Sequence, residues 1–340
     1  MLIPPKYFLT PKISELLGSI QACKEVIDNV QIPPEVEINI RRQSILKSSL
    51  FSARIEGNNL TLDDLQNKSS KDLPAARLPA RQGKASQKKI EVFNILKAIN
   101  LILEKKERDI SLNQILRFHE IVMDNLSENS GKFRSEVSAI FNTAGIAIYM
   151  PPPLSQIQPL MNELLSFINS GKERFVPIRA CLSHFVFEKI HPFLDGNGRV
   201  GRLLLQAILH KEGYGMKGML SLEEHLDSHR SFYYGGLENS EKDVTDYLEF
   251  MLEAISVTAQ DAKNRVVRKK EFRASDFLLP RRAEILNIII DHKLVNFDQI
   301  RRRFFAVNER TLRYDLKKLI DSGFIIKRGA TKGVYYQAKE

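Results

Sequence analysis

A single run, His191-Pro192-Phe193-Leu194-Asp195-Gly196-Asn197-Gly198-Arg199-Val200-Gly201-Arg202, holds a base, a hard-metal ligand, a glycine-rich loop and two guanidiniums. A histidine titrates near neutrality and can take a proton from a hydroxyl, and a carboxylate such as Asp195 is the donor type that Mg²⁺ prefers. Gly196 and Gly198 let the backbone approach an anion closely, and Asn197 between them tolerates a left-handed conformation. Downstream, Val200, Leu203, Leu204, Leu205, Ala207, Ile208 and Leu209 carry the apolar spacing of a buried helix that starts near Gly198. Its open N–H groups and positive dipole end would face the loop, with Arg199 and Arg202 near the first turn, so the implied ligand is a nucleotide phosphate. Upstream, Ile178 to Ile190 predicts a second apolar helix, with Pro177 suited to its first turn, that delivers His191 at its end. Two blander readings fail on spacing: an EF-hand would need further oxygen ligands and a distal glutamate, and a P-loop would need Gly-Lys-Ser/Thr after a strand.

At every defining position the run fits His-x-Phe-x-Asp/Glu-Gly-Asn-Gly-Arg-x-x-Arg and so resembles the signature of the Fic (Fic/DOC) family. The resemblance implies transfer of AMP from Mg·ATP to a Ser, Thr or Tyr hydroxyl of a target protein, and to the chain itself, with pyrophosphate leaving. It implies His191 as general base, Asp195 as the Mg²⁺ ligand, Gly196, Asn197 and Gly198 as the anion hole, and Arg199 and Arg202 on the β and γ phosphates. Phe193 reads as a core anchor for the loop. The kinase-like Doc branch departs from the second glycine; Gly198 is kept here, which favours nucleotidyl transfer. Tyr233 and Tyr234 resemble a pair near the adenine side in the family.

A second stretch, Ser52-Ala53-Arg54-Ile55-Glu56-Gly57, follows the apolar positions Ile45, Leu46 and Leu50 of an expected helix at about 43–57. Glu56 at a helix C-terminus opposes the macrodipole and calls for a cationic partner, Gly57 suits the left-handed position beyond it, and Ser52 lies one turn earlier on the same face. The stretch resembles the Ser/Thr-x-x-x-Glu-Gly/Asn inhibitory motif of Fic proteins whose inhibitory helix lies N-terminal to the core. That implies Glu56 paired with Arg202, in competition with the nucleotide.

Other segments must position these residues. Ile13–Val30, Ile90–Glu104, Leu112–Leu126, Ile157–Ile168 and Val244–Ala259 have helical apolar spacing. His119, beside Phe118 and Ile121, reads as a packed or capping histidine. Val137, Ile140, Phe141, Ile146, Ile148 and Tyr149, with Asn142 to Gly145 as turn, predict a short β-hairpin at about 137–150 after Gly131–Arg134. It resembles the Fic flap, which would register an extended target segment by main-chain pairing. Gln66 to Gln87, poor in large apolar residues, predicts an extended connection.

The chain carries a net +10, yet residues 262–340 hold 20 Lys and Arg against 9 Asp and Glu, a net +11, which leaves the rest near neutral at −1. Beyond a basic linker at 261–279, helices around Ile285–Ile289, Phe297–Phe305 and Glu309–Ser322, then β-like runs Phe324–Arg328 and Gly333–Gln337, resemble a winged helix-turn-helix. In a DNA-binding reading Asn308, Arg310, Thr311, Arg313 and Lys317 lie on or near the recognition helix, with Lys327, Arg328 and Lys332 on the wing. Winged helices also recruit proteins, and the sequence leaves both open.

The expected architecture is mainly α. It comprises an N-terminal region at 1–65 with the inhibitory helix, an all-helical catalytic core with a β-hairpin flap at 66–260, the linker at 261–279, and a small α+β winged helix at 280–340. The 340 residues suffice for a helical core plus a small module, and 43% hydrophobic with 27% charged residues is globular composition. No apolar segment is long enough to span a bilayer and no basic, apolar leader opens the chain, so a cytoplasmic location is expected. Cys23 and Cys181, in apolar helical settings, read as buried thiols. Self-association is compatible with the sequence. Two alternatives stand beside AMP transfer: removal of AMP from a modified target at the same site, and a nucleotide-sensing transcriptional regulator. A pure sensor would have no need of a base at His191.

Overall fold

A computed structural model describes residues 1–66, 84–104, 109–141, 147–267, 278–304, 307–329 and 333–339. The chain forms two compact units, the first from Met1–Val30, Gln43–Leu62 and Gly83–Val267, the second from Gln31–Arg42, Asp63–Gln82 and Arg268–Glu340.

The elements run α1 (Pro11–Asn29), α2 (Pro34–Ile55), α3 (Leu62–Gln66), α4 (Lys84–Glu104), α5 (Leu112–Val122), β1 (Ile140–Phe141), β2 (Ala147–Tyr149), α6 (Leu154–Ser170), α7 (Val176–Ile190) and α8 (Asn197–Lys211). There follow α9 (Leu222–Ser228), α10 (Arg230–Glu238), α11 (Thr245–Val267), α12 (Pro280–His292), β3 (Val295–Asn296), α13 (Phe297–Arg303), α14 (Glu309–Asp321), β4 (Ile325–Arg328) and β5 (Tyr335–Ala338).

In the first unit α7 is the centre: Ile178, Ala180, Leu182, Phe185, Val186, Phe187 and Ile190 are all buried, so it has no solvent face to speak of. It packs against α8, α6 and α11, and α1 lies along α11. Thr10 caps α1 by accepting from Ile13 N, and Ser111 caps α5 by accepting from Gln114 N. The expected helix to Leu126 stops at Val122, where Asn94 Nδ2 donates to the carbonyls of Val122 and Asp124 and holds the turn. The expected basic linker at 261–279 is also corrected: α11 continues to Val267 because Ala262 and Val266 extend its buried stripe. The rest of that linker at 268–277, the connection at 67–83, the hairpin turn at 142–146 and Lys332 lie outside the described residues. The hairpin itself forms, with Ile140 opposite Tyr149 and Phe141 opposite Ala147.

The C-terminal residues of the second unit have their own core of Ile285, Leu286, Ile289, Val295, Ile300, Leu312, Leu316, Leu319, Ile325 and Tyr336. A strand absent from the sequence reading, β3, pairs with β5, giving an antiparallel sheet of order β3-β5-β4 beside three helices, the arrangement of a winged helix. Asp315, buried in α14, is held by Arg281 at 2.5 Å and Arg282 at 2.9 Å. Among the described residues no helix is long and apolar enough to cross a membrane, and Cys23 and Cys181 are free and buried.

Candidate active site

The C-terminal end of α7 fixes His191, the expected base. His191 closes the helix in a left-handed conformation, φ 48° and ψ 59°, with its N–H on Phe187 O at 3.0 Å. A left-handed residue often ends a helix, and here it turns the chain so that His191 opens the loop. His191 Nδ1 lies 3.3 Å from Glu188 O. A carbonyl only accepts, so Nδ1 carries the proton and Nε2 presents its lone pair. Burial, reinforced by the Arg134 charge, pushes the imidazole below the ordinary histidine value of 6.5, which keeps it neutral near pH 7.

The loop after His191 is clamped from inside. Asn197 accepts from Phe193 N at 2.9 Å and donates to Phe193 O at 2.8 Å. Its side chain is therefore spent on the loop, and of the expected anion-hole role only its backbone N–H remains for a ligand. Phe193, fully buried, stacks on His119 with centroids 3.8 Å apart and planes 3° off parallel. His119 Nδ1 accepts from Gly131 N at 2.8 Å, so Nε2 is the donor to Asp195 O at 3.1 Å. Burial lowers its pKa to about 4, consistent with a neutral ring that ties two loops together. Gly196 needs its missing side chain: at φ +81° a Cβ would lie 2.8 Å from Met123 Sδ. The first helical bond of α8 runs from Val200 N to Gly196 O at 3.0 Å, which leaves the preceding N–H groups at the open helix end.

Both arginines of the run are buried and already paired. Arg199 donates to Glu91 Oε1 at 2.7 Å and to Asp195 Oδ1 at 2.9 Å. Glu91 also accepts from Asn58 Nδ2 at 2.8 Å. Neither Glu91 nor Asn58 was legible as a site residue; Glu91 sits on an ordinary apolar-striped helix, and only the fold brings α4 beside Arg199. Arg202, 2% exposed, donates Nε to Ser52 Oγ at 3.0 Å and NH2 to both Ser52 O at 3.0 Å and Glu56 Oε1 at 2.9 Å. Burial opposes its charge, but Glu56 and Tyr233 outweigh that and raise its pKa. A Cβ built on Gly198 would fall 2.3 Å from Glu56 Oε1, so the carboxylate rests directly on the glycine that was expected to receive phosphate.

Tyr233, expected on the adenine side, is placed in a buried chain of hydrogen bonds. The ring is 1% exposed and its hydroxyl lies 3.1 Å from His184 Nε2, while His184 Nδ1 lies 2.8 Å from Tyr247 Oη. Since Tyr247 donates to Cys181 O at 3.2 Å, the chain of bonds runs Tyr233 to His184 to Tyr247 and supports Arg202 from below. Tyr234 is half-exposed and donates to Ile55 O at 3.2 Å, the last residue of α2. Glu188, buried under Gly201, has its pKa raised by burial to about 8.

Asp195 suits a magnesium ion that brings its own phosphate ligands. Its side chain is 67% exposed, and the bonds from Arg199 and Gly196 N both fall on Oδ1. One carboxylate plus substrate phosphates is the usual Mg²⁺ donor set, and among the described residues no cluster offers an all-protein cage.

Residues 109–209, which include the whole of this loop, match the Fic/DOC family model. It is 28% identical over 225 residues to a protein adenylyltransferase Fic of Aedes aegypti, covering 64% of this chain and 41% of the relative. With the protein adenylyltransferase Fic of Nematostella vectensis it shares 31% identity over 179 residues, 51% of this chain and 39% of the relative. The chain thus spans about two fifths of the length of these curated relatives. Among solved structures the fold resembles a Fic family protein from Desulfovibrio desulfuricans G20, with TM-score 0.63, 23% identity and 98% of both chains covered. It also resembles a Fic-1 fragment from C. elegans, with TM-score 0.59, 20% identity, 73% of this chain and 71% of the other.

Proposed function

We propose that the chain is an autoinhibited protein adenylyltransferase. The observation that carries the reading is the Glu56 carboxylate seated on Arg202 and against Gly198, beside a neutral His191. The name of the Aedes aegypti and Nematostella vectensis relatives supports the reaction class. In this reading His191 Nε2 takes the proton of a Ser, Thr or Tyr hydroxyl as its oxygen attacks the α-phosphorus of ATP. The bond from that phosphorus to the β-bridging oxygen breaks, and pyrophosphate leaves. A Mg²⁺ held by Asp195 and the phosphates would neutralise charge on the leaving group. Arg202, released from Glu56, and the open N–H groups of α8 would bind the phosphates.

The test uses ATP tagged on the α-phosphate, with γ-tagged ATP in parallel, on wild type, Glu56→Gly and His191→Ala. A charge-assisted bond of about 1.5–3 kcal/mol is removed from the competition in Glu56→Gly, so self-labelling and labelling of a target lysate should rise roughly 10- to 150-fold. His191→Ala should lose roughly 10²- to 10⁴-fold, the range for a positioned general base. Labelling by γ-tagged ATP would mark a kinase instead, and no gain in Glu56→Gly with ATP binding intact would remove the inhibitory role.

For the C-terminal module we propose duplex nucleic acid as partner. Arg310 and Lys317 are exposed on one face of α14, and Lys327 and Arg328 are exposed on β4. Thr311 is half-buried, and Arg313 lies 3.9 Å over the Phe297 ring and 3.7 Å from Glu309, so it contributes with less freedom. Asn308, expected near the contacts, caps α14 by accepting from Arg310 N at 2.8 Å.

A further inference from the structure

Helix α7 delivers His191, and its C-terminal carbonyls must find donors outside the helix. The flap region supplies two of them. Tyr149, the last residue of β2, donates its hydroxyl to Lys189 O at 2.9 Å. Arg134, just before β1, donates Nε to His191 O at 2.9 Å, and its backbone N–H donates to Pro192 O at 2.9 Å. The same guanidinium reaches both stems of the hairpin, with NH1 on Glu136 O at 3.3 Å and NH2 on Pro152 O at 2.5 Å. Arg134 is 5% exposed, and every one of these bonds ends on a backbone carbonyl rather than a carboxylate. A planar fork at the negative end of a helix can serve three carbonyls in fixed directions, which a lysine ammonium cannot match.

We infer that Arg134 is a positioning residue that locks the two stems of the flap to the backbone of His191, so that a target segment registered on the flap has its hydroxyl registered on the imidazole. Tyr149 is the second tether of the same lock. The inference rests on the adenylyl-transfer reading for its activity readout, although the lock itself is a matter of hydrogen bonds. Nothing in the nucleotide-binding set, Gly198, Arg199, Arg202 and Asp195, touches the Arg134 side chain in the bonds above, so loss of the lock should spare ATP.

Glu56→Gly is the parent, with Arg134→Lys, Arg134→Met and Tyr149→Phe added singly. Three quantities are read: self-labelling rate across ATP concentrations, binding of a non-hydrolysable ATP analogue, and amide hydrogen exchange over 137–141 and 147–152. Analogue affinity and half-saturating ATP should stay within about threefold of the parent. The labelling rate at saturation should fall roughly 10- to 100-fold in both Arg134 variants, as misplacement by about 1 Å does, and less in Tyr149→Phe. Flap amides should exchange faster in all three. Unchanged labelling, unchanged flap exchange, full rescue by Arg134→Lys, or a loss matched by equal loss of analogue binding would overturn the inference. If the parent itself does not label, the functional reading has failed, and the exchange and binding arms still decide the lock.

Discussion

At Arg202 a fully buried guanidinium is shared by Ser52 and Glu56, and pairing there is stronger than at a surface because little water screens it. In the proposed reading a polyphosphate that binds in register would have to displace Glu56 from both Arg202 and Gly198, and that competition is what would keep the site silent. Chemistry after displacement depends on His191 being neutral. Burial lowers its pKa first and Arg134 lowers it further, while Glu56 and Asp195 raise it. Removing Glu56 therefore lowers it more. Because the base acts only when deprotonated, the labelling rate of Glu56→Gly is expected to hold from pH 8 to below the ordinary histidine value of 6.5, then to fall as pH drops through the depressed pKa. A pH–rate profile whose acid limb lies above 6.5 would place another group in the role of base.

At the scale of elements, the part of α2 from Gln43 onward packs within the first unit through a column of hydroxyls. Ser44, Ser48 and Ser52 recur every fourth residue and are all buried. Ser44 accepts from Arg265 NH1 at 3.1 Å, Ser48 donates to Glu223 Oε2 at 2.5 Å and accepts from Gln206 Nε2 at 2.9 Å, and Ser52 accepts from Arg202 Nε at 3.0 Å. Ile45, Leu50, Ala53 and Ile55 are buried beside these hydroxyls, so the helix is held by apolar burial together with hydrogen bonds, of which only the latter can be replaced by water. Glu223, itself buried, is the costly member of that arrangement, since burial raises its pKa and the hydrogen bonds from Ser48 and Gln206 offset this in part. Ser48→Ala should weaken docking by about 1–3 kcal/mol and raise basal self-labelling of an otherwise wild-type chain roughly 5- to 150-fold. Basal labelling equal to wild type, with an unchanged melting temperature, would show that the column does not set the resting state.

For the whole molecule, charge separates what the two ends can do. Residues 262–340 carry the net +11 while the remainder is near neutral, so long-range attraction of an extended polyanion such as a duplex would favour the C-terminal residues. If the partner is duplex nucleic acid, affinity should fall linearly with salt on a double-logarithmic plot. Arg310→Ala and Lys317→Ala should each cut the slope by about one while leaving self-labelling of Glu56→Gly intact. Absence of duplex binding near 150 mM salt, a Debye length of about 8 Å, would point the module toward protein recruitment.

The sequence by itself determined the helical class, the end of α7 at His191, the start of α8 near Gly198 and the hairpin, while the pairing of Glu56 with Arg202 followed from the resemblance of its motif. These are readable because each rests on local spacing, on turn chemistry, or on a motif long enough to carry its own partners. It overran α5, stopped α11 short and missed β3, where the decisive contacts are a side chain from α4, an extended buried stripe and a strand of two residues. Tertiary structure alone decided that Asn197 is spent on the loop, that Tyr233 is buried against Arg202, and that Glu91 and Arg134 hold Arg199 and the backbone of His191. Those roles belong to residues far apart in sequence whose charges and rings acquire partners only when α4, α5, the flap and α7 pack together. Spacing along a chain cannot encode a distance between helices.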